Sequence, residues 1–476
     1  MSAPAPPLLE RLAGVVGPGR LLTADSDLAP FLTDHRELYH GRAFAVAQPE
    51  TAGQVAELLA VCNAHRIGVV PQGGNTGYCG GATPDDSGAQ LVISLARLNR
   101  IRTVDALNDS LIAEAGCVLA DVQRAAQAAQ RFFPLSLGSE GSCQIGGNLS
   151  TNAGGVHVLR YGMMRDLVLG LEVALADGRL LSSLTRLRKD NTGYDIKSLF
   201  LGAEGTLGII TAASLKLFAR IRATATAFAA VRDPGAAVEL LARLREASGE
   251  RVSSFELIPR IAVELTTRHI PGVRDPLDAA HAWYVLCELT SARAADPCDA
   301  MLTECLEPAL EEGLVEDAVV VRNERERSAL WKLRETIPEA QRRDGASLKH
   351  DISVPVSAIP AFIERAGQWV RDHVPDGRLV SYGHVGDGNL HFNINQASAT
   401  DRAAFLARGE SVKRAIHDLV REFDGSISAE HGIGRLKVAE LERYAPAVEL
   451  ELMHAVKHAL DPNGILNPGK VLRGPR

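Results

Sequence analysis

Two short stretches in the second half of the chain hold residue types that can do chemistry together. The first runs Gly383-His384-Val385-Gly386-Asp387-Gly388-Asn389-Leu390-His391-Phe392-Asn393-Ile394-Asn395, the second Ser428-Ala429-Glu430-His431-Gly432-Ile433-Gly434. His384 and His391 are seven residues apart, an odd spacing that sends side chains to opposite faces of one straight strand. A turn over residues 386–389 folds the chain back and removes that objection. Beyond it His391, Asn393 and Asn395 share one face and Leu390, Phe392 and Ile394 the other, an alternation that a wet edge strand would also show. Two imidazoles and the Glu430 carboxylate make a three-ligand set with a position left open for substrate. That set suits catalytic zinc and other borderline divalent metals. A histidine such as His431, next to Glu430, is the side-chain type that accepts a proton near neutral pH.

Three glycine- and hydroxyl-rich loops precede these stretches. Pro71-Gln72-Gly73-Gly74-Asn75-Thr76-Gly77-Tyr78-Cys79-Gly80-Gly81 follows the apolar run at 67–70 and carries five glycines in eleven residues. Gly138-Ser139-Glu140-Gly141-Ser142-Cys143-Gln144-Ile145-Gly146-Gly147-Asn148 continues into Leu149-Ser150-Thr151-Asn152-Ala153-Gly154-Gly155. The third is Gly202-Ala203-Glu204-Gly205-Thr206-Leu207-Gly208-Ile209-Ile210-Thr211. Glycine-dense turns let backbone N–H groups approach phosphate oxygens. No Gly-Lys-Ser/Thr closes the first loop, and it does not open a helix as a dinucleotide fingerprint does. Convergence of all three on one long phosphate-containing cofactor accounts for the pattern.

The elements that must position these residues are legible from periodicity and punctuation. Thr51 caps a helix to about Arg66, with Val55, Leu58, Leu59 and Cys62 on one face, and this helix feeds the strand before the first loop. Strand 92–95, helix 121–130 and an apolar run 167–176 ending at an Asp177-Gly178 hairpin turn follow. Residues 187–195 read as a solvated turn. From about residue 220 helix patterns such as 234–247 alternate with strands such as 283–286 and 318–321. A helix over 328–337 aligns Leu330, Leu333 and Ile337 and carries Arg334, and Lys349 precedes a strand over 351–356. A last long helix aligns Phe405, Val412, Ile416, Leu419 and Phe423 and stops at Asp424-Gly425.

With these motifs in this order, nearly the whole chain to Asn467-Pro468-Gly469-Lys470 resembles the FAD-linked D-2-hydroxy-acid dehydrogenase family. That family belongs to the vanillyl-alcohol oxidase and p-cresol methylhydroxylase superfamily. The resemblance implies an α+β fold: a two-part FAD-binding domain of the p-cresol methylhydroxylase type (1–219), an α+β substrate-capping domain (220–425) and a C-terminal segment returning to the flavin site (426–476). It implies noncovalent FAD held by Pro71, Gly73, Gly74, Asn75, Thr76, Gly77, Gly80 and Gly81 of the first loop. From the second come Gly138, Ser139, Ser142, Cys143, Gly146, Gly147, Asn148, Ser150, Thr151, Asn152, Gly154 and Gly155. Glu204, Gly205, Gly208, Ile209, Ile210 and Asn467 complete the set. His384, His391 and Glu430 fall on the metal ligands, with zinc first and manganese or ferrous iron as alternatives. His431 falls on the base, Arg334 and Lys349 on residues that bind substrate carboxylate, and Asn393 on a substrate contact. A family threonine that shares the carboxylate aligns with Pro338, which has neither hydroxyl nor N–H.

The implied reaction takes a D-2-hydroxy acid to the 2-oxo acid, the metal acting as Lewis acid and the hydride passing to flavin N5. D-2-hydroxyglutarate is the favoured substrate, with D-lactate, D-malate or glycolate as alternatives. A non-catalytic electron-transfer flavoprotein is the remote alternative, which missing ligands or a missing base would favour. Electrons would leave to an external acceptor, an electron-transfer flavoprotein or a quinone-linked carrier, and a homodimer is compatible with the family.

Bulk properties bound the rest. A chain of 476 residues, 46% hydrophobic and 23% charged, has core for about two to three domains. Its net charge of −7, without a basic stripe, argues against a nucleic-acid partner. Seven scattered cysteines without a paired motif indicate reduced thiols, and a Pro/Ala-rich N-terminus indicates a cytoplasmic protein. No run of about twenty apolar residues predicts a membrane span.

Overall fold

The computed structural model describes residues 6–397 and 401–474, so the first five residues of the Pro/Ala-rich N-terminus lie outside it. The chain divides into two units. One contains the residues up to Gly155, Gly162–Arg220 and the chain from Glu430 onward; the other contains Val156–Tyr161 and Ile221–Ala429.

In the first unit, Thr51 opens the helix Ala52–His65 with a reciprocal cap. Its hydroxyl accepts from the Gln54 N–H at 3.2 Å while the Gln54 side chain accepts from the Thr51 N–H at 3.2 Å. The helix buries Val55, Leu58, Leu59 and Cys62, ends at Arg66 in the left-handed region and delivers the chain to strand Val69–Gln72. That strand and Ala45–Ala47 flank Leu91–Ser94 in parallel, so the first glycine loop leaves the C-terminal end of a parallel strand. A second, antiparallel sheet runs Ile101–Asp105, Ser110–Glu114, Ile209–Lys216, Val168–Ala174, Leu180–Ser183. The last two strands form the hairpin read at Asp177-Gly178. The second loop ends in the short helix Ile145–Ser150, and the third runs into strand Ile209–Lys216. Leu466 bridges Val69, which brings the C-terminus back beside the root of the first loop.

The second unit is built on one antiparallel sheet ordered Val315–Val320, Ala223–Val231, Trp283–Ser291, Val252–Pro259, Gly377–His384, Asn389–Gln396, Ser347–Leu348, with Asp351–Ser353 also pairing Asn389–Gln396. Asn389–Gln396 is therefore an interior strand, and Asn393 and Asn395 on its polar face are buried. The wet-edge alternative fails because Gln341, on helix Ile337–Asp344, supplies their hydrogen bonds. It donates to Asn395 at 2.8 Å and accepts from Asn393 at 3.1 Å.

Two helices read as continuous are broken. The helix carrying Arg334 ends at Glu335, and a new one starts at Ile337. Pro338 has no N–H for the Arg334 carbonyl and its ring collides with that carbonyl, whereas a first helical turn accepts proline. Likewise Arg402–Ala407 and Gly409–Glu422 are separate helices, with Arg408 between them paired to Asp376 at 2.6 Å.

The Arg334 helix is fastened to the sheet by Glu288, which is 1% exposed. Its carboxylate accepts from Arg327 at 2.7 and 3.1 Å, from the Trp331 indole at 3.1 Å and from Thr226 at 3.0 Å. Glu288→Ala is expected to destabilise this unit by at least about 1.5–3 kcal/mol, the range for one hydrogen bond to a charged group. Tryptophan fluorescence in urea checks it, since Trp283, Trp331 and Trp369, the chain's only tryptophans, all lie in this unit.

Candidate active site

The first unit contains a cleft walled by the three glycine loops and His431. The loops can meet because their glycines lack Cβ atoms. A Cβ on Gly74 would lie 2.1 Å from the Ser142 carbonyl oxygen, and one on Gly205 would lie 2.5 Å from the Pro71 ring. Asn467 ties the first loop to the third, its amide donating to the Gly81 carbonyl at 2.9 Å and the Glu204 carbonyl at 2.8 Å. Pro71, Gly73, Gly74, Asn75, Thr76, Gly77 and Gly81 line the cleft, with Gly146, Gly147, Asn148, Ser150 and Thr151 from the second loop and Glu204, Gly205, Ile209 and Ile210 from the third. Gly80, Gly138, Ser139, Ser142, Cys143, Asn152, Gly154, Gly155, Gly208 and Asn467 are not part of the lining. Several of them shape it from behind, as Ser142 and Asn467 do.

The cleft suits a phosphate-bearing dinucleotide. Around Gly77 and Gly147 nothing would lie within 4 Å of an added Cβ, so backbone is open to a ligand there. The side-chain amide oxygen of Gln144 is buried in the wall with no hydrogen-bond partner. Gln144, Gln72, Cys79, Ala82 and Leu95 also line the cleft without having been singled out. The first three sit inside the loop motifs, which was the available signal.

His431 packs edge-on against Tyr78 with ring centroids 4.7 Å apart. The turn after it is held by Glu204, whose buried carboxylate accepts from the Ile433 N–H at 2.7 Å and the Gly434 N–H at 2.9 Å. Burial pushes the Glu204 carboxyl above its usual range, and those two N–H groups and the Lys437 charge draw it partly back. Gly432 and Gly434 have φ of 72° and 52°, and a Cβ on Gly432 would lie 2.7 Å from the Glu204 carboxylate. The Cys79 thiol donates to the Gly432 carbonyl at 3.4 Å.

The second unit holds a polar cluster built on the paired strands Gly377–His384 and Asn389–Gln396. Gly388, with φ of 87°, completes the turn between them. The His384 and His391 rings lie 5.6 Å apart, each offering a nitrogen within 4.8 Å of the other's. His384 Nδ1 is 2.5 Å from Glu256 Oε1, and His391 Nδ1 is 3.9 Å from Asp351 Oδ1. At His384 the carboxylate on Nδ1 selects the tautomer whose Nε2 carries the lone pair, the state a metal requires, while the longer His391 contact with Asp351 is electrostatic only. The donor set therefore fits a divalent cation. Glu256 Oε2 accepts from Arg334 Nε at 2.7 Å, and the Arg334 guanidinium lies over Tyr382, 4.8 Å from the ring centroid. Burial alone would raise the Glu256 carboxyl, yet the neighbouring Arg334 and His384 hold it down at about 2.

The structure thus groups Arg334, His384, His391 and Asn393 within one unit, and His431 with the glycine loops in the other. Lys349 is an exposed residue between Ser347–Leu348 and Asp351–Ser353. Glu430 is the first residue of the C-terminal return. Glu256 and Asp351 were not found from sequence: Glu256 lies 128 residues from His384, in a strand that reads as ordinary core.

Comparison with known proteins decides the family. The model described as "FAD binding domain" matches residues 43–183, and "FAD linked oxidases, C-terminal domain" matches residues 220–471. The chain is 38% identical to the mitochondrial D-2-hydroxyglutarate dehydrogenase of Rattus norvegicus, over 96% of this chain and 83% of that protein. It is 37% identical to the D-2-hydroxyglutarate dehydrogenase of Xanthomonas citri pv. viticola, over 95% and 94%. The chain belongs to the FAD-linked D-2-hydroxy-acid dehydrogenase family.

Among solved structures, p-cresol methylhydroxylase with substrate bound superposes with a TM-score of 0.76 at 16% identity, over 98% of this dehydrogenase and 96% of that chain. An alkyldihydroxyacetonephosphate synthase gives 0.76 at 16%, over 98% and 85%. These establish the α+β fold expected from the resemblance. The cytoplasmic expectation is overturned, since the relatives from Arabidopsis thaliana, Rattus norvegicus and Bos taurus are named mitochondrial. None of the seven cysteines is in a disulfide, and all are buried. Among the described residues no helix is long and apolar enough to cross a membrane.

Because Gly74 meets Ser142 backbone, Gly74→Ala must push the first two loops apart. The flavin-to-protein absorbance ratio after dialysis is expected to fall, with FAD affinity reduced at least about tenfold, roughly 1.4 kcal/mol. Retention of a wild-type ratio would show that this loop contact does not shape the FAD site.

Proposed function

We propose that this dehydrogenase oxidises D-2-hydroxyglutarate to the 2-oxo acid with FAD and a divalent metal ion, zinc first. The observation that carries the reading is the pair of imidazoles, each with Nδ1 facing a buried carboxylate, beside a buried arginine. The names of the relatives support the substrate.

FAD, when bound in the loops, supplies at N5 the acceptor for the two electrons of the Cα–H bond. A divalent metal, when bound, supplies Lewis acidity toward the substrate hydroxyl and its adjacent carboxylate. His384, His391 and Glu430 would hold that metal. Glu430 comes one peptide bond after Ala429, whose N–H donates at 3.4 Å to the carbonyl of Asp351, the residue facing His391. His431 would take the hydroxyl proton, leaving the hydride for which bound FAD would be the acceptor. The Glu204-held turn keeps that imidazole at the cleft wall.

Arg334 and Lys349 supply positive charge for the distal carboxylate. Asn393, its amide already committed to Gln341, would meet substrate through its remaining hydrogen-bonding capacity. An external acceptor would take up the two electrons. A second reading, turnover of D-lactate, D-malate or glycolate, is favoured by Pro338, which offers a second carboxylate no donor.

The test is anaerobic flavin bleaching against D-2-hydroxyglutarate, D-lactate, D-malate and glycolate, with chelator and with added zinc or manganese. D-2-hydroxyglutarate is expected to bleach fastest and chelation to stop the reaction. His431→Asn should keep FAD and metal but slow bleaching by roughly 10²–10⁴. His384→Ala should lose the metal and keep the flavin spectrum. Faster bleaching with D-lactate or D-malate installs the second reading, and bleaching indifferent to chelation removes the metal.

A further inference from the structure

We propose that Glu256 is a positioning residue that couples the arginine for the substrate's distal carboxylate to the metal ligand His384. The inference rests on the metal and substrate reading above and adds to it a residue without contact to either group. The two Glu256 oxygens do different work: Oε1 meets His384 Nδ1 at 2.5 Å, and Oε2 accepts from Arg334 Nε at 2.7 Å. Glu256 has no exposed surface and Arg334 only 6%, so neither charge is screened by water. The circuit closes on its other side through Tyr382. Its ring lies under the Arg334 guanidinium and 5.0 Å from the His391 ring, and His391 lies beside His384.

Three consequences follow from that geometry. The carboxylate orients the His384 ring and fixes its tautomer, the role that outer carboxylates play for metal-bound histidines. It also anchors one edge of the Arg334 fork, leaving the guanidinium plane a single orientation over Tyr382. A change at either end is therefore transmitted to the other through one rigid side chain. Selectivity for a dicarboxylate and competence of the metal site share this residue.

The test uses the full-length, FAD-loaded protein and reads zinc affinity, by competition with a chelating dye, alongside KM for D-2-hydroxyglutarate and D-lactate. Glu256→Gln should keep the flavin spectrum, weaken zinc binding by about 10–100-fold and raise KM for D-2-hydroxyglutarate more than for D-lactate. Glu256→Asp, which restores the charge, should recover part of both losses. Where Glu256→Gln does not yield folded protein, Glu256→Leu combined with Arg334→Leu removes the pair without stranding a charge, and the same loss of zinc affinity is expected. Wild-type zinc affinity in either variant overturns the proposal and leaves the metal reading intact. Failure of the unaltered protein to bind zinc overturns both.

Discussion

A carboxylate with no exposed surface keeps its charge only if its surroundings replace water on both oxygens. At Glu256 the replacements are a guanidinium and an imidazole from two different elements, helix Glu324–Glu335 and strand Gly377–His384, meeting on strand Val252–Pro259. Removing either partner leaves an uncompensated buried charge, which costs about 3–5 kcal/mol. The folded unit is thereby committed to the arrangement that places an arginine near two histidines. Glu288, one strand over, repeats the device with Arg327 and Trp331 of the same helix. The helix is pinned twice, so Arg334 cannot rotate away from the polar cluster without breaking a charged contact.

The FAD-binding unit is organised by backbone rather than by charge. Its loops carry glycine where two main chains touch, at Gly74 against Ser142 and at Gly434 against the Cys79 carbonyl. Small polar side chains then lock the contacts: Asn467 spans two loops, and Glu204 receives the turn behind His431. The histidine assigned to proton transfer is thus held by the same residue whose loop walls the flavin cleft.

The fold is shared with p-cresol methylhydroxylase at 16% identity, a level at which architecture persists while chemistry does not transfer. Pro338 acts locally: it ends the Arg334 helix and sits in the first turn of the next.

The sequence by itself determined the glycine loops, the capped helix after Thr51, the Asp177-Gly178 hairpin and the family. Each depends on residues a few positions apart, or on a motif whose order along the chain is the signal. The turn between His384 and His391 was readable for the same reason. Only the tertiary structure decided what surrounds those histidines. Glu256 reaches His384 across 128 residues, Gln341 reaches Asn395 across 54, and no local spacing encodes either meeting. The alternating face 391–395 reads as wet or buried until the neighbouring helix is placed, because an asparagine bonded to water and one bonded to Gln341 have the same sequence. The break after Glu335 follows a local steric rule at Pro338, but the direction of the second helix, and hence Gln341's reach, came from packing.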